Sequence, residues 1–325
     1  MKIAILDDYQ NFALRFADWS KVKAQAEVTV FDRHLKVPDE AARELQPFDA
    51  VVLLRERMAM PAALIERLPN LKFIAATGPH NRTIDYAAVN ARGIPVSCTR
   101  PEPHGHQGTP ELTFGLMLAG MRHIAFESRK MREGTWQNTV GMTLHGRRLG
   151  LVGLGRLGRR VAEIARAFAM EVVAWSPNLT PEKAAEAGAT RVDKDELFRT
   201  SDVVSIHVVL GERSRGLVGA RELGLMKPTA WLINTARGPI VDEAALLEAL
   251  QQKRIAGAGL DVYGEEPLPP DHPIRRLDNV VLTPHLGYVT DDTLQLFYND
   301  SIENILAWLD GKPLRLLNGP GFVAR

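Results

Sequence analysis

The chain has 325 residues and a mass of 36.0 kDa, which is long for one domain and sufficient for two. Its 40 basic and 39 acidic residues leave a formal charge of +1, so no overall field favours nucleic acid or a membrane surface. A single cysteine, Cys98, excludes an internal disulfide framework and suits a reducing compartment. Acidic residues follow the N-terminus too early for a signal peptide, and no apolar run could cross a bilayer, so we expect a cytoplasmic protein.

Short apolar runs alternate with helical patterns through the first part of the chain. Strands are predicted at 3–6, 28–31, 50–54, 73–77 and 94–98, and helices at 39–45, 61–68 and 85–91. Such alternation predicts right-handed βαβ crossovers and a parallel sheet covered on both faces. This region is expected to form the first domain.

The loops after two of these strands, at 55–60 and 78–82, lie where ligands bind in open α/β sheets. They carry Arg55, Arg57, His80 and Arg82. These side chains could attract an acidic ligand, although solvated loop charges are an equally good interpretation of each.

A loop rich in proline, histidine and glycine covers residues 99–108. Thr109 and Pro110 then indicate a helix start, and the helical pattern runs to about Glu133. Its first half, 112–121, is apolar almost all round, which a surface helix cannot tolerate in water. We therefore expect that half to be buried between domains or subunits.

Residues 149–158 predict a strand, a glycine turn and a helix. Glycine can make the tight turn at Gly153, let a dinucleotide pyrophosphate approach the backbone at Gly155, and allow close packing at Gly158. The anion would lie at the helix N-terminus, where free N–H groups and the helix dipole favour negative charge. A second apolar strand at 171–175 completes a βαβ unit, so a dinucleotide site is favoured over an ordinary glycine-rich turn.

The acidic residue that usually binds the ribose of NAD, about 20 residues beyond the glycine turn, is absent. Residues 175–178 are Trp-Ser-Pro-Asn, with Ser176 in place of the acid. Without a carboxylate nothing repels the extra phosphate of NADP, yet residues 175–180 contain no cation to hold it. We predict NAD as the cofactor with NADP not excluded, both being used with a modest preference for NAD.

The alternation of strands and helices continues to the end of the chain. Strands are predicted at 203–210, 230–234, 256–262 and 280–283, and helices at 243–252 and 292–309. The last helix is amphipathic and long enough to return to the first domain. The predicted fold is α/β, with two doubly wound parallel-sheet domains. A Rossmann dinucleotide-binding domain (101–290) is inserted into a flavodoxin-like substrate domain (1–100 and 291–325).

Three segments that follow predicted strands carry groups suited to acid–base chemistry, at 234–238, 261–267 and 283–287. Arg237 offers a planar fork for a carboxylate, and His285 can exchange a proton near neutral pH. A carboxylate beside the histidine, such as Glu266, would fix its tautomer and favour its charged form. The set suits reduction of a 2-keto acid, whereas each group alone could equally belong to a structural ion pair.

In this order the motifs resemble the D-isomer-specific 2-hydroxyacid dehydrogenase family, over nearly the whole chain. That family includes D-lactate, D-glycerate and phosphoglycerate dehydrogenases and glyoxylate/hydroxypyruvate reductases. The resemblance implies hydride transfer between a nicotinamide cofactor and a small 2-keto or 2-hydroxy acid of the D series. It implies that Arg237 binds substrate, that Glu266 orients the histidine, and that His285 is the general acid/base. It also implies a homodimer that pairs through helix 109–121.

The resemblance extends to two sets of binding residues. The cofactor set is Gly153, Gly155, Arg156, Leu157, Gly158, Ser176, Val208, Thr235, Ala236, Arg237, Asp261, His285 and Gly287, and the substrate set is Arg55, Gly78, His80 and Arg237. No metal, nucleic acid or membrane partner is expected. A formate dehydrogenase is disfavoured because those relatives lack the glutamate partner. The alternative from another class is a dinucleotide-sensing binding protein, like the corepressors that share this fold.

Overall fold

A computed structural model of the chain describes residues 1–101 and 107–319. The chain divides into two compact units, one of Met1–Gly105 with Thr290–Arg325 and one of His106–Val289. Part of the predicted loop at 99–108, including His104 and His106, lies outside the described residues. Within the described ranges, no helix is both long and apolar enough to cross a membrane.

The first unit contains five strands and their connecting helices. The strands are β1 (Lys2–Ile5), β2 (Glu27–Val30), β3 (Ala50–Leu53), β4 (Phe73–Ala76) and β5 (Val96–Ser97), and the helices are α1 (Ala13–Phe16), α2 (Ser20–Lys23), α3 (Pro38–Leu45), α4 (Ala62–Ile65) and α5 (Tyr86–Ala91). The sheet order is β2-β1-β3-β4-β5, and every neighbouring pair is parallel. Every residue of β3 and β4 is buried, as expected of central strands with helices on both faces.

The second unit begins with two helices, α6 (Gly108–Met121) and α7 (Ile124–Arg132). There follow β6 (Arg148–Val152), α8 (Arg156–Ala167), β7 (Glu171–Trp175), α9 (Pro181–Glu186), β8 (Thr190–Arg191), α10 (Lys194–Thr200), β9 (Val203–Ile206), α11 (Ala220–Leu225), β10 (Trp231–Asn234), α12 (Glu243–Gln251), β11 (Gly257–Leu260) and β12 (Val280–Leu282). The last helix, α13 (Asp291–Leu309), belongs to the first unit.

The seven strands of the second unit form a parallel sheet in the order β12-β11-β10-β9-β6-β7-β8. From β6, the strands β7 and β8 lie on one side and β9 to β12 lie on the other, so the strand order reverses at β6. Ligands of doubly wound folds bind at the carboxyl end of such a switch point. The glycine turn follows β6 directly. The predicted fold class, two doubly wound parallel sheets, is confirmed.

Two predicted elements differ from the structure. The helix predicted from Thr109 to about Glu133 is broken at His123, whose left-handed backbone (φ +51°) separates α6 from α7. The strand predicted at 203–210 ends at Ile206, so His207 lies beyond it. Propensity alone did not indicate either break.

Part of the apolar surface of α6 is covered inside its own unit. The helix packs on β10, β11, β12 and α8, and its Gly120 lies against the ring of Trp231, which a Cβ would meet at 2.4 Å. Leu112, Leu118 and Ala119 stay partly exposed, so burial of the rest of this helix by another domain or subunit stays a prediction. None of the residues of α7, by contrast, is buried.

Candidate active site

The glycine turn after β6 has the geometry that a dinucleotide site requires. Gly153 has a left-handed backbone (φ +101°), and a Cβ there would lie 2.8 Å from the carbonyl carbon and oxygen of His207. A Cβ on Gly158 would lie 2.3 Å from the carbonyl oxygen of Gly153. Gly155 faces open space and precedes α8, whose N-terminus receives no side-chain cap. The first turn of α8, which includes Arg156 and Leu157, therefore offers its N–H groups to an anion.

A cavity of about 660 Å³ lies beside the carboxyl ends of β7 and β9. Its lining is Trp175, Ser176, Pro177, Asn178, Val208, Val209, Leu210, Gly211, Glu212, Arg213, Ser214 and Leu217. The volume is that of a small-molecule or cofactor site. The structure thus places two of the predicted cofactor residues, Ser176 and Val208, on one cavity.

The cavity lining includes a cation that sequence reasoning missed. Arg213 lies on the loop after β9, whereas residues 175–180 contain no cation and only Lys183 and Arg156 were further candidates in the sequence. Its position after β9, which pairs with β6 on the side opposite β7, was the available signal. Lys194 also approaches Trp175, at 5.8 Å from its ring, but it is paired with Glu222 at 3.0 Å.

His285 and Glu266 form a hydrogen-bonded pair. His285 Nδ1 lies 2.6 Å from Glu266 Oε2, and the backbone N–H of Tyr263 donates to Glu266 Oε1 at 3.0 Å. Burial works to raise the pKa of Glu266, but the hydrogen bond and charge of His285, together with the Tyr263 N–H and Arg237, hold that pKa below its usual range. The carboxylate therefore stays ionised at neutral pH and favours an imidazolium.

Asp261 shapes the turn that carries His285. Its carboxylate accepts hydrogen bonds from Thr283 Oγ1 at 2.6 Å and from the N–H groups of Leu286 and Gly287 at 2.7 and 2.9 Å. Its carbonyl oxygen accepts from the His285 N–H at 2.8 Å. Burial raises the pKa of Asp261. These four contacts fix the left-handed backbone of His285 (φ +55°), a conformation that needs such support.

Arg237 ends a turn that is held by a buried asparagine. Asn234 accepts from the Ala236 N–H at 3.0 Å and donates to the Arg237 carbonyl at 3.0 Å. The hydroxyls of Thr235 and Thr113 are 3.0 Å apart, which secures the same turn against α6. Arg237 is half-buried, and its charge contributes to the lowered pKa of Glu266. The three predicted catalytic residues are thus gathered at the carboxyl edge of one sheet.

The substrate residues predicted in the first unit lie at the carboxyl edge of its own sheet. Arg55 packs so closely on Gly78 that a Cβ there would lie 1.5 Å from Arg55 Nη1. The Gly78 N–H, which the family resemblance assigned to the substrate, donates to Thr99 Oγ1 at 2.8 Å. His80 is exposed. In this structure, then, Gly78 makes room for the guanidinium of Arg55.

Two other histidines have partners that the sequence did not reveal. Burial lowers the pKa of His207 to about 4, and its Nε2 lies 2.8 Å from Ser205 Oγ, so this ring is neutral at pH 7. His272 Nε2 lies 3.2 Å from Glu243 Oε1. Among residues 1–101 and 107–319, no three His, Cys, Asp or Glu side chains are grouped as a metal site.

Comparison with known proteins shows the family to which this chain is similar. Residues 114–287 match the family model for the D-isomer specific 2-hydroxyacid dehydrogenase, NAD binding domain. A glyoxylate reductase of Aeropyrum pernix is 37% identical over 307 residues, which cover 90% of this chain and 90% of that protein. A D-3-phosphoglycerate dehydrogenase of Archaeoglobus fulgidus is 38% identical over 280 residues, covering 85% of this chain.

This chain spans only 52% of the length of that D-3-phosphoglycerate dehydrogenase. Among solved structures, a phosphoglycerate oxidoreductase of Vibrio cholerae superposes with a TM-score of 0.89 at 35% identity. The superposition covers 96% of this chain and 99% of that one. The likeness therefore extends through both units.

Proposed function

The chain belongs to the D-isomer specific 2-hydroxyacid dehydrogenase family, and we propose on this basis that it transfers a hydride between a nicotinamide cofactor and a small D-2-hydroxy or 2-keto acid. The observation that carries the proposal is the 2.6 Å contact between His285 Nδ1 and Glu266 Oε2. Such a pair supplies what reduction of a carbonyl needs, namely a proton donor whose charged form is stabilised by a neighbouring carboxylate.

The second unit fits a dinucleotide. The uncapped N-terminus of α8 would hold the pyrophosphate, Gly155 leaves space for it, and the cavity beside Ser176 would take the adenosine half. A bound nicotinamide cofactor would supply or accept the hydride. We propose NAD as this cofactor, with NADP also accepted, because residue 176 is a serine rather than an acid, and the two charged residues that line the cavity are one acid, Glu212, and one base, Arg213.

His285 is proposed as the proton donor for the substrate carbonyl oxygen. Its Nδ1 is engaged with Glu266, so the proton would leave from Nε2. In the oxidative direction the same nitrogen would accept the proton from the substrate hydroxyl. Glu266 holds the ring and stabilises its charge, and Arg237 would bind the substrate carboxylate through two parallel hydrogen bonds.

The substrate class is proposed to be short 2-keto acids. The names of the relatives include glyoxylate reductase, D-3-phosphoglycerate dehydrogenase and hydroxypyruvate reductase. We propose that three residues of the first unit contact the part of the substrate away from the reacting carbonyl. They are Arg55, Gly78 beside it, and the exposed His80.

The test is oxidation of NADH, followed by the loss of its absorbance, with a panel of 2-keto acids that includes glyoxylate, hydroxypyruvate and pyruvate. Turnover with at least one of them, and its loss in His285→Ala, are expected. If NADH binds to the wild-type protein but no 2-keto acid is reduced, the dinucleotide-sensing alternative is favoured instead.

We also propose that the protein is a homodimer. Besides helix α6, the reason is the exposed apolar surface in and after α7. Large apolar side chains are exposed in and after α7, among them Trp136 at 74% and Val140 at 92% of their surface. Exposed apolar clusters of this kind usually mark an interface. We expect light scattering to give twice 36.0 kDa. A stable mass of 36.0 kDa at micromolar concentration would contradict the dimer.

A further inference from the structure

We propose that Tyr263 is a positioning residue that sets the orientation of Glu266 toward His285, through its backbone N–H on one side and its hydroxyl on the other. The inference rests on the proposed function, because that function gives the Glu266–His285 pair its acid–base role. It assigns a task to a side chain that is only 8% exposed and that does not itself line the cavity.

The backbone of Tyr263 fixes one oxygen of the carboxylate. Its N–H donates to Glu266 Oε1 at 3.0 Å, while Oε2 lies 2.6 Å from His285 Nδ1. A carboxylate with both oxygens engaged in different directions cannot rotate without losing a hydrogen bond. The position of the Tyr263 backbone therefore determines where Glu266 Oε2 lies.

The hydroxyl of Tyr263 fixes that backbone relative to the histidine turn. It donates to the carbonyl oxygen of Thr283 at 2.9 Å and to that of Leu260 at 3.1 Å, so its one proton is shared between them. Thr283 follows β12 directly and lies two residues before His285, and Leu260 is the last residue of β11. One side chain thus ties the Glu266 loop to the strand ends from which Asp261 and His285 extend.

The hydroxyl remains a donor across the useful pH range. Burial, followed by the charges of Asp261 and Glu266, raises the pKa of Tyr263. The ring packs in the hydrophobic core of the second unit with Leu260 and Leu268. Phenylalanine would preserve this packing and remove only the hydrogen bonds, so Tyr263→Phe isolates the hydroxyl.

The first measurement is the NMR signal of His285 Nδ1 in histidine-labelled protein, in which that signal is assigned with His285→Gln. Because this nitrogen contacts Glu266 Oε2 at 2.6 Å, a loosened Glu266 should move the Nδ1 signal in Tyr263→Phe toward its position in Glu266→Gln. In NADH-dependent reduction, kcat should fall about tenfold, because a misplaced proton donor slows the reaction more than it weakens binding. The dissociation constant for NADH should change less than about twofold.

Ser201→Ala is the matched control. The buried hydroxyl of Ser201 also donates to a carbonyl oxygen of the second unit, that of Leu197, at 2.7 Å. Ser201 lies in the turn between α10 and β9. This variant should lose comparable stability and leave the Nδ1 signal of His285 unchanged. A lower kcat for Tyr263→Phe without a change in the Nδ1 signal of His285 would mean a merely structural role and would overturn the inference.

A double-mutant cycle with Glu266→Gln adds a second criterion. Once Glu266 is replaced, Tyr263→Phe should cause no further change in the Nδ1 signal of His285. Additive changes would show that Tyr263 acts independently of Glu266, which also overturns the inference. The NMR measurement needs no turnover. If the wild-type protein reduces no 2-keto acid, the proposed function fails, while the NMR measurement still decides whether Tyr263 orients the pair.

Discussion

The two units place functional groups at the same edge of a parallel sheet, but they hold them differently. In the second unit, buried polar side chains fix the backbone under each group: Asp261 beneath His285, and Asn234 beneath Arg237. In the first unit, Arg55 is fixed by its main chain, through Thr77 and Asn81, while its guanidinium lies against Gly78. A proton-transfer group needs a precise direction, whereas a cation that attracts an acid acts over a longer range. We therefore expect changes in the second unit to alter rate, and changes in the first to alter substrate affinity.

The largest expected effect is that of His285→Ala. General acid catalysis typically contributes about 10²–10⁴-fold, so kcat for keto-acid reduction should fall within that range. NADH binding, followed by fluorescence, should persist because the glycine turn is untouched. His145→Ala removes an exposed histidine of the same unit and serves as the control. Near-normal turnover in His285→Ala would remove this histidine from the proposed role.

Arg237→Lys should have the next largest effect. Lysine offers a point charge where arginine offers two parallel donors, so one charge-assisted hydrogen bond to the substrate carboxylate is lost. At about 1.5–3 kcal/mol for such a bond, kcat/KM should fall about tenfold to a hundredfold. Both kcat and KM should change, because this contact also aligns the substrate. Wild-type kinetic constants would rule out the bidentate contact.

Gly78→Ala should affect the first unit alone. The new methyl group would displace the Arg55 guanidinium, whose Nη1 lies 1.5 Å from the ideal Cβ position. We expect KM for the 2-keto acid to rise about tenfold, with an unchanged dissociation constant for NADH. Gly93→Ala is a matched control, since Gly93 has a similar left-handed backbone (φ +62°) but no neighbour within 4 Å. Equal effects of both substitutions would attribute the result to backbone strain rather than to Arg55.

Ser176→Asp should have the smallest effect, confined to cofactor choice. A carboxylate on the cavity wall repels the 2′-phosphate of NADP, so the ratio of kcat/KM for NADH over NADPH should rise about tenfold. Ser176→Asn has nearly the same shape without the charge and should leave the ratio close to that of the wild type. A wild-type preference for NADPH above about a hundredfold would contradict the modest NAD preference and would implicate Arg213.

One part of the site, the glycine turn, could be located from local sequence alone. The glycine turn requires three glycines in six residues, Gly153, Gly155 and Gly158, and its geometry follows from their missing side chains. The fold class was likewise predictable, because buried parallel strands such as β3 and β9 are continuous apolar runs. The roles of Arg237, Glu266 and His285 came from motif resemblance, and they stay predictions until the variants are measured.

The errors concern features that packing decides. The pattern from Thr109 to Glu133 has helical propensity throughout, yet His123 takes a left-handed backbone and the chain breaks there. For α6, periodicity reports that a surface is buried but not what covers it, so the partner surface expected there stays a prediction. Arg213 was missed because it approaches the cavity from a loop about 35 residues beyond Ser176 in the chain, farther than a local motif extends.

The sequence by itself determined the order of strands and helices, the glycine turn and the residue types at the strand ends, because these depend on periodicity and local backbone freedom. Only the tertiary structure decided which of those residues meet. Three features depend on the register and packing of separate strands: the 2.6 Å contact of His285 with Glu266, the Tyr263 hydroxyl between two strand ends, and the neutral state of half-buried His207. Hydrogen bonding and desolvation act over a few ångströms in space, and neither distance nor burial can be read from spacing along the chain.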